Sequence, residues 1–124
     1  MEKPFSLAER ARSFRYAFSG LAELLRSQHN ARVHLFASLL VVIVGLSLGV
    51  TRMEWCALLL AMMLVWIAEA LNTALEFLCN LVSPDFHPLI KKSKDVAAAS
   101  VLISAAGAVV IGILIFLPYL LTWG

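Results

Sequence analysis

Three apolar runs constrain this chain more than any other feature. They are VHLFASLLVVIVGLSLGV (Val33–Val50), a stretch from about Met53 to Val82, and VAAASVLISAAGAVVIGILIFLPYLL (Val96–Leu121). With Asn30 to Arg32 flanking the first, each reaches the roughly 20 residues that a helix needs to cross the hydrocarbon layer. Lipid offers no partners to backbone N–H and C=O groups, so such segments must be helical. A soluble bundle is excluded on surface grounds: with 61% of residues hydrophobic, too little polar surface remains to wrap three such helices in water. The expectation is an all-α membrane protein, one domain over residues 1–124. Its spans are expected at 30–50, 53–82 and 94–121.

Residues 1–29 are different. Leu7, Phe14, Phe18, Leu21 and Leu25 recur at helical spacing, while Arg10, Arg12, Arg15, Glu23 and Arg26 fall mostly off that face. This pattern predicts an amphipathic surface helix lying in the headgroup plane, with Gly20 a weak point within it. Some thirty mixed residues precede the first apolar run and no small-residue cleavage site follows it, which does not resemble a secretory leader.

Lysine and arginine set the orientation. Lys3, Arg10, Arg12, Arg15, Arg26 and Arg32 precede the first span, and Lys91, Lys92 and Lys94 lie between the second and third. Only Arg52 occupies the intervening turn, and no cation follows the third span. The N-terminus and second loop are therefore expected in the cytoplasm, the Arg52 turn and C-terminus outside. Trp55, Tyr119 and Trp123 are expected as anchors at the outer interface. Ser100, Ser104, Ala108 and Gly112 form a small-residue seam on the third span, and Gly45 and Gly49 a shorter one on the first, suited to close helix approach.

The second span carries a polar stripe. At about 100° per residue, Glu69 and Glu76 fall within about 20° of each other, with Asn72, Thr73 and Asn80 alongside. A carboxylate facing lipid costs at least a few kcal/mol, so this stripe must face protein or water. Glu76 and Asn80 lie near the cytoplasmic surface, and Glu69 about 10 Å deeper at 1.5 Å per residue. If the third helix starts at Ser93 to Asp95, its N-terminal N–H groups together with Lys94 suit a phosphate. Carboxylate and amide oxygens opposite suit Mg²⁺, a hard cation that shares its ligands with nucleotide phosphates. The net charge of +2 gives no sign of a nucleic-acid partner. The stripe fits a hydroxyl-bearing membrane lipid meeting a metal-bound nucleotide from the cytosol. For the amides and Thr73, helix-to-helix hydrogen bonding is the plainer alternative. For the glutamates a purely structural pairing needs a cation, and the span interiors are read as holding none.

EALNTALE (Glu69–Glu76), followed after a short loop by KKSKDVAAASV (Lys91–Val101), resembles the prokaryotic diacylglycerol kinase / undecaprenol kinase family. FRYAFSGL (Phe14–Leu21) and NARVH (Asn30–His34) are similar to that family too, and NARVH resembles its undecaprenol kinase branch more closely. The resemblance covers nearly the whole chain. It implies a homotrimer with active sites shared between subunits, in a bacterial cytoplasmic (inner) membrane. It further implies transfer of the γ-phosphoryl of MgATP to a membrane lipid alcohol, undecaprenol or diacylglycerol. By likeness, Glu69 is the general base, Glu76 holds Mg²⁺, and Asn72, Lys94 and Asp95 orient the phosphates and the reacting groups. His87 and Arg15 join the nucleotide contacts, and Ala98 the lipid contacts, with Glu69 and Asn72. No phosphate-binding glycine loop of a soluble kinase is present.

One position departs from the family pattern. Gln28, in SQHNARVH, stands where an acidic residue is common, so a neutral oxygen replaces a charged one in the implied metal site. At the start of the first span, Asn30, Arg32 and His34 either line the nucleotide or lipid entry or serve local roles, Arg32 reaching headgroups and His34 a polar contact. His29, His34 and His87 have no carboxylate or thiolate spaced to complete a zinc set. Two other functions compete with a kinase. A proton-coupled transporter explains Glu69 but not Lys94 and Asp95, and a structural subunit would use the stripe to bind a partner helix.

Overall fold

The computed structural model describes residues 2–122 as four helices: α1 (Leu7–Ser27), α2 (His29–Leu48), α3 (Arg52–Val82) and α4 (Pro88–Leu121). The last three are long and apolar enough to cross a membrane. α3 and α4 form an antiparallel hairpin with the most extensive packing in the chain, and α2 leans on both, mainly on α3.

Local chemistry accounts for each boundary. α2 ends at Gly49, whose φ of 66° is the left-handed conformation that only glycine adopts without penalty. Thr51 then caps α3: its side chain accepts from the Glu54 N–H, and the Glu54 carboxylate accepts from the Thr51 N–H at 2.9 Å. The same carboxylate accepts the Tyr119 hydroxyl, tying the end of α4 to this turn. α4 begins at Pro88, six residues before the expected start of its span at 94, because His87 caps it. The imidazole Nδ1 accepts from the Leu89 N–H at 3.1 Å, and Pro88, in the first turn, has no N–H to satisfy. Ser93 to Asp95 therefore lie inside the helix, where their N–H groups are used by the helix itself. The expected phosphate cradle at those residues is corrected by this earlier cap.

The apolar core sits at the α2–α3 turn end. Val50, Leu58 and Ile115 are buried there, with Val41, Leu48, Trp55, Ile111 and Phe116 packed around them. Trp55 and Tyr119, expected as interface anchors, are half-buried at this end of the bundle and pack against the core, and Trp123 lies outside the described residues. Gly45 makes room for the indole: a Cβ there would stand 2.6 Å from Trp55 Cη2. On the α4 seam, Gly112 leaves open space: a Cβ there would meet nothing within 4 Å.

α1 meets the bundle only through its last turns, where Leu24 is buried. Its apolar residues Leu7, Phe14 and Phe18 are uncovered by the rest of the chain. Arg32 joins α1 to α2. Its guanidinium donates to the carbonyls of Leu25 (2.9 Å) and Arg26 (2.6 Å), two of the C-terminal acceptors that α1 leaves unbonded. Arg32 is therefore a helix cap, a role that neither reading of NARVH gave it. Arg26 itself pairs with Glu23, which holds its guanidinium above the ordinary arginine range.

Two outcomes follow from this packing. Gly45→Ala should lower the thermal stability of the detergent-solubilised protein by about 1–3 kcal/mol, the usual cost of overpacking; Gly20→Ala, open on all sides, should not lower it. Arg32→Ala should speed amide hydrogen exchange at the α1–α2 junction while leaving exchange in α3 unchanged.

Candidate functional site

The buried residues of α3 lie on one face: Leu58, Ala61, Val65, Glu69, Thr73 and Cys79. The polar stripe is the continuation of the core face. Its half near the α2–α3 turn packs apolar side chains, and its half near the α3–α4 loop carries carboxyl, amide and hydroxyl groups. Glu69 is 1% exposed and Thr73 3%, while Asn72 and Glu76 are half-buried and Asn80 is exposed.

Opposite Glu69 stands His34 of α2, with Nε2 3.5 Å from Glu69 Oε2. The imidazole packs edge-on against Trp66, with ring centroids 6.3 Å apart. The indole N–H donates to Ser38 Oγ at 3.0 Å, and that hydroxyl donates to the His34 carbonyl at 2.7 Å. His34 Nε2, Glu69 Oε2, Asn72 Oδ1 and Thr73 Oγ1 are buried and have no hydrogen-bond partner. Buried polar atoms are nearly always paired, so these four are atoms that a water, an ion or a ligand group would satisfy.

An apolar groove of about 560 Å³ borders the cluster between α2, α3 and α4, lined by Val33, His34, Val41, Val65, Ala108 and Phe116 among others. That volume suits a small ligand or part of a lipid chain. A second, more polar cleft of about 350 Å³ lies at the α3–α4 loop, lined by Asn80, Asp85, His87, Lys91, Lys94 and Asp95. There Lys94 Nζ donates to Asn80 Oδ1 at 2.7 Å, and Lys91 pairs with Asp95 at 2.6 Å.

The expected site residues thus fall into two groups. Glu69 and Asn72 gather beside the groove. His87, Lys94 and Asp95 gather at the loop cleft, with Asn80 roughly 16 Å along the α3 axis from Glu69 at 1.5 Å per residue. Among the described residues, no hydrogen bond or ion pair links Lys94 or Asp95 to Glu69, Asn72 or Glu76. Glu76 lies between the two groups and makes no such contact of its own. Gln28 sits at the α1–α2 junction, its amide N–H donating to Ser27 Oγ at 3.4 Å. Arg15 is exposed on α1 and Ala98 on α4. Among the described residues, no three His, Cys, Asp or Glu side chains gather as a metal cluster.

The sequence reasoning missed His34 as the neighbour of Glu69. Part of the signal was present: His34 and Glu69 stand on either side of the Gly49–Thr51 turn at separations that differ by less than one helical turn, so an antiparallel pair brings them within reach. The premise that span interiors hold no cation overlooked the histidine.

Comparison with known proteins places the chain. The family model described as prokaryotic diacylglycerol kinase matches residues 15–116. The chain is 40% identical over 111 residues to a diacylglycerol kinase of Synechocystis sp., covering 89% of this chain and 63% of that longer relative. It is 37% identical over 109 residues to the undecaprenol kinase of Bacillus subtilis, with 88% and 89% covered. Against the diacylglycerol kinase of Escherichia coli it is 32% identical over 95 residues, with 77% and 78% covered. With the matched segment taking in α2, α3, the loop cleft and most of α4, the chain belongs to the prokaryotic diacylglycerol kinase family.

Proposed function

We propose that this protein is a membrane lipid kinase that moves the γ-phosphoryl group of ATP to the hydroxyl of a lipid alcohol at the cytoplasmic face of a bacterial inner membrane. The observation that carries this reading is Glu69: a buried carboxylate with an unpartnered Oε2 beside an apolar groove. The groove holds the acyl or prenyl chain, and Glu69 accepts the hydroxyl proton as the oxygen attacks the γ-phosphorus. Lys94, Lys91 and His87 at the loop cleft receive the triphosphate; His87 Nδ1 is occupied by the helix cap, which leaves Nε2 to face a nucleotide. Phosphoryl transfer asks for positioning and charge neutralisation more than covalent help, which suits a site built of carboxylates, amides and lysines.

Mg²⁺ bound with ATP supplies neutralisation of the phosphate charge. Glu76 and the side-chain oxygen of Gln28 are the groups that would hold it. A half-buried carboxylate without a protein partner fits an ion that takes one or two carboxylates and completes its shell with water and phosphate. A second copy of the chain completes the site. Lys94 and Asp95 stand about three turns from Glu69 in one chain, so the catalytic pairing with Glu69 and Asn72 is reached across a subunit boundary of a homotrimer. Exposed apolar side chains on α2 and α4, Phe36, Leu39, Leu102 and Ile103 among them, leave surface for that contact and for lipid. The amphipathic α1 lies at the headgroups, where Arg15 can reach the nucleotide; Ala98, on the exposed side of α4, meets the lipid. The excess of lysine and arginine before α2 and in the α3–α4 loop puts the N-terminus in the cytoplasm and the C-terminus outside.

Relatives of both acceptor types match at similar identity, so undecaprenol and diacylglycerol are both retained as acceptors. The family does not favour the alternative of a proton-coupled transporter using Glu69.

Radiolabelled ATP given to detergent-solubilised protein with undecaprenol and diacylglycerol in competition tests the reading. Label should enter an extractable lipid, and Glu69→Gln should cut the rate by about 10²–10⁴-fold, the span of general-base contributions, while the trimer persists. Ion transport without phosphorylated lipid would overturn the kinase reading. In the same assay Gln28→Glu should keep or tighten Mg²⁺ dependence; an unchanged Mg²⁺ titration would remove Gln28 from the ligand set.

A further inference from the structure

We propose that α1 docks on anionic phospholipid of the cytoplasmic leaflet, reading its charge through the arginines that border its apolar face. This rests on the reading above that α1 lies at the headgroups, and adds which headgroups it selects. Leu7, Phe14, Phe18 and Leu21 are exposed, Phe14 and Phe18 by 67% and 68%. α1 meets the bundle only through its last turns, so no described residue covers this face.

The charges on α1 are sorted by sign. At about 100° per residue, Arg10 stands about 60° to one side of the centre of the apolar face, and Arg15 and Arg26 stand about 80° and about 100° to the other. Glu9 and Glu23 stand about 160° away, on the back of the helix. Cations at both borders and acids behind put the guanidiniums level with lipid phosphates once the aromatic rings are buried. Arg10 and Arg15 are exposed, and among the described residues neither makes an ion pair, whereas Arg26 is held by Glu23. A guanidinium takes a phosphate through two parallel N–H···O bonds, and two uncompensated ones favour a lipid of net negative charge over a zwitterion.

A second copy of α1 does not suit the same face. Two such faces laid together bring the bordering arginines of both copies to one seam, and the glutamates lie too far round each helix to neutralise them. A bilayer surface supplies acyl chains for the rings and phosphate for the guanidiniums at once. The attachment also reaches the bundle. Leu24 is buried against it, and Arg32 of α2 caps the last carbonyls of α1, so docking constrains the α1–α2 junction.

Amide hydrogen exchange of the full-length chain tests this, in bilayers of phosphatidylcholine alone and of phosphatidylcholine mixed with phosphatidylglycerol. Exchange over residues 7–21 should be at least about fivefold slower on the mixed bilayer, the effect of about one surface cation, while α3 exchanges alike on both. In about 0.5 M salt the difference should vanish, because charges then act over only a few ångströms. Arg10→Gln with Arg15→Gln should remove most of the difference, and Arg10→Lys with Arg15→Lys should keep it. Lys3→Gln with Arg12→Gln removes as much charge away from the borders of the face and should leave more than half of it. Equal protection on both bilayers, a difference that survives salt, or equal damage from the two glutamine pairs would overturn the inference while leaving α1 a surface helix. Fast exchange over residues 7–21 on both bilayers would remove the headgroup reading as well, and leave the face to a protein partner.

Discussion

A carboxylate within a membrane-spanning helix persists only where protein or water covers it, because hydrocarbon offers no solvation for its charge or its lone pairs. Glu69 imposes that condition on the rest of this molecule. It is 1% exposed on a 31-residue helix whose other faces are open to the surroundings, so α2 and α4 must close over the one face that holds it. The position of α2 makes sense in this light. It brings an imidazole to the carboxylate and ties a serine to the tryptophan that holds that imidazole.

The two ends of the α3 face divide stability from chemistry. At the turn end, Gly49, the Thr51–Glu54 capping box and the Tyr119 hydroxyl bond close the chain around Val50, Leu58 and Ile115. At the other end, polar atoms are left without partners and the loop cleft stays open. Such unsatisfied groups cost stability, and a compact apolar core elsewhere on the same helix offsets that cost. The single chain is nevertheless sparse in buried residues, and its large apolar side chains point outward all round the bundle. Lipid and neighbouring copies are the natural cover for that surface in the proposed trimer.

The loop end shows how a small shift in a helix start changes the chemistry available. Starting α4 at Pro88 consumes the N–H groups of Ser93 to Asp95 within the helix and gives His87 a capping task. Lys94 and Asp95 then act through their side chains alone, one on Asn80 and the other on Lys91. In the proposed kinase, phosphate recognition at this cleft would therefore fall to ammonium and imidazole groups, not to a helix N-terminus.

Much of this was legible in the residues because the relevant signals are local and periodic. The apolar runs set the three spans, lipid's lack of hydrogen-bonding partners made them helices, and a 100° step put Glu69, Thr73 and Glu76 on one stripe. The motifs EALNTALE and KKSKD carried the family resemblance that the comparisons bear out. Tertiary structure decided which groups meet across helices: His34 with Glu69, Trp66 with Ser38, Lys94 with Asn80, Trp55 with Gly45. Arg32 as a cap for α1 and Tyr119 as a partner for Glu54 belong to the same class. The physical reason is that helical periodicity gives the direction of a side chain about its own axis, whereas the partner it reaches depends on how far the next helix is shifted and turned. That relation is set by packing of the whole bundle, and no single segment encodes it.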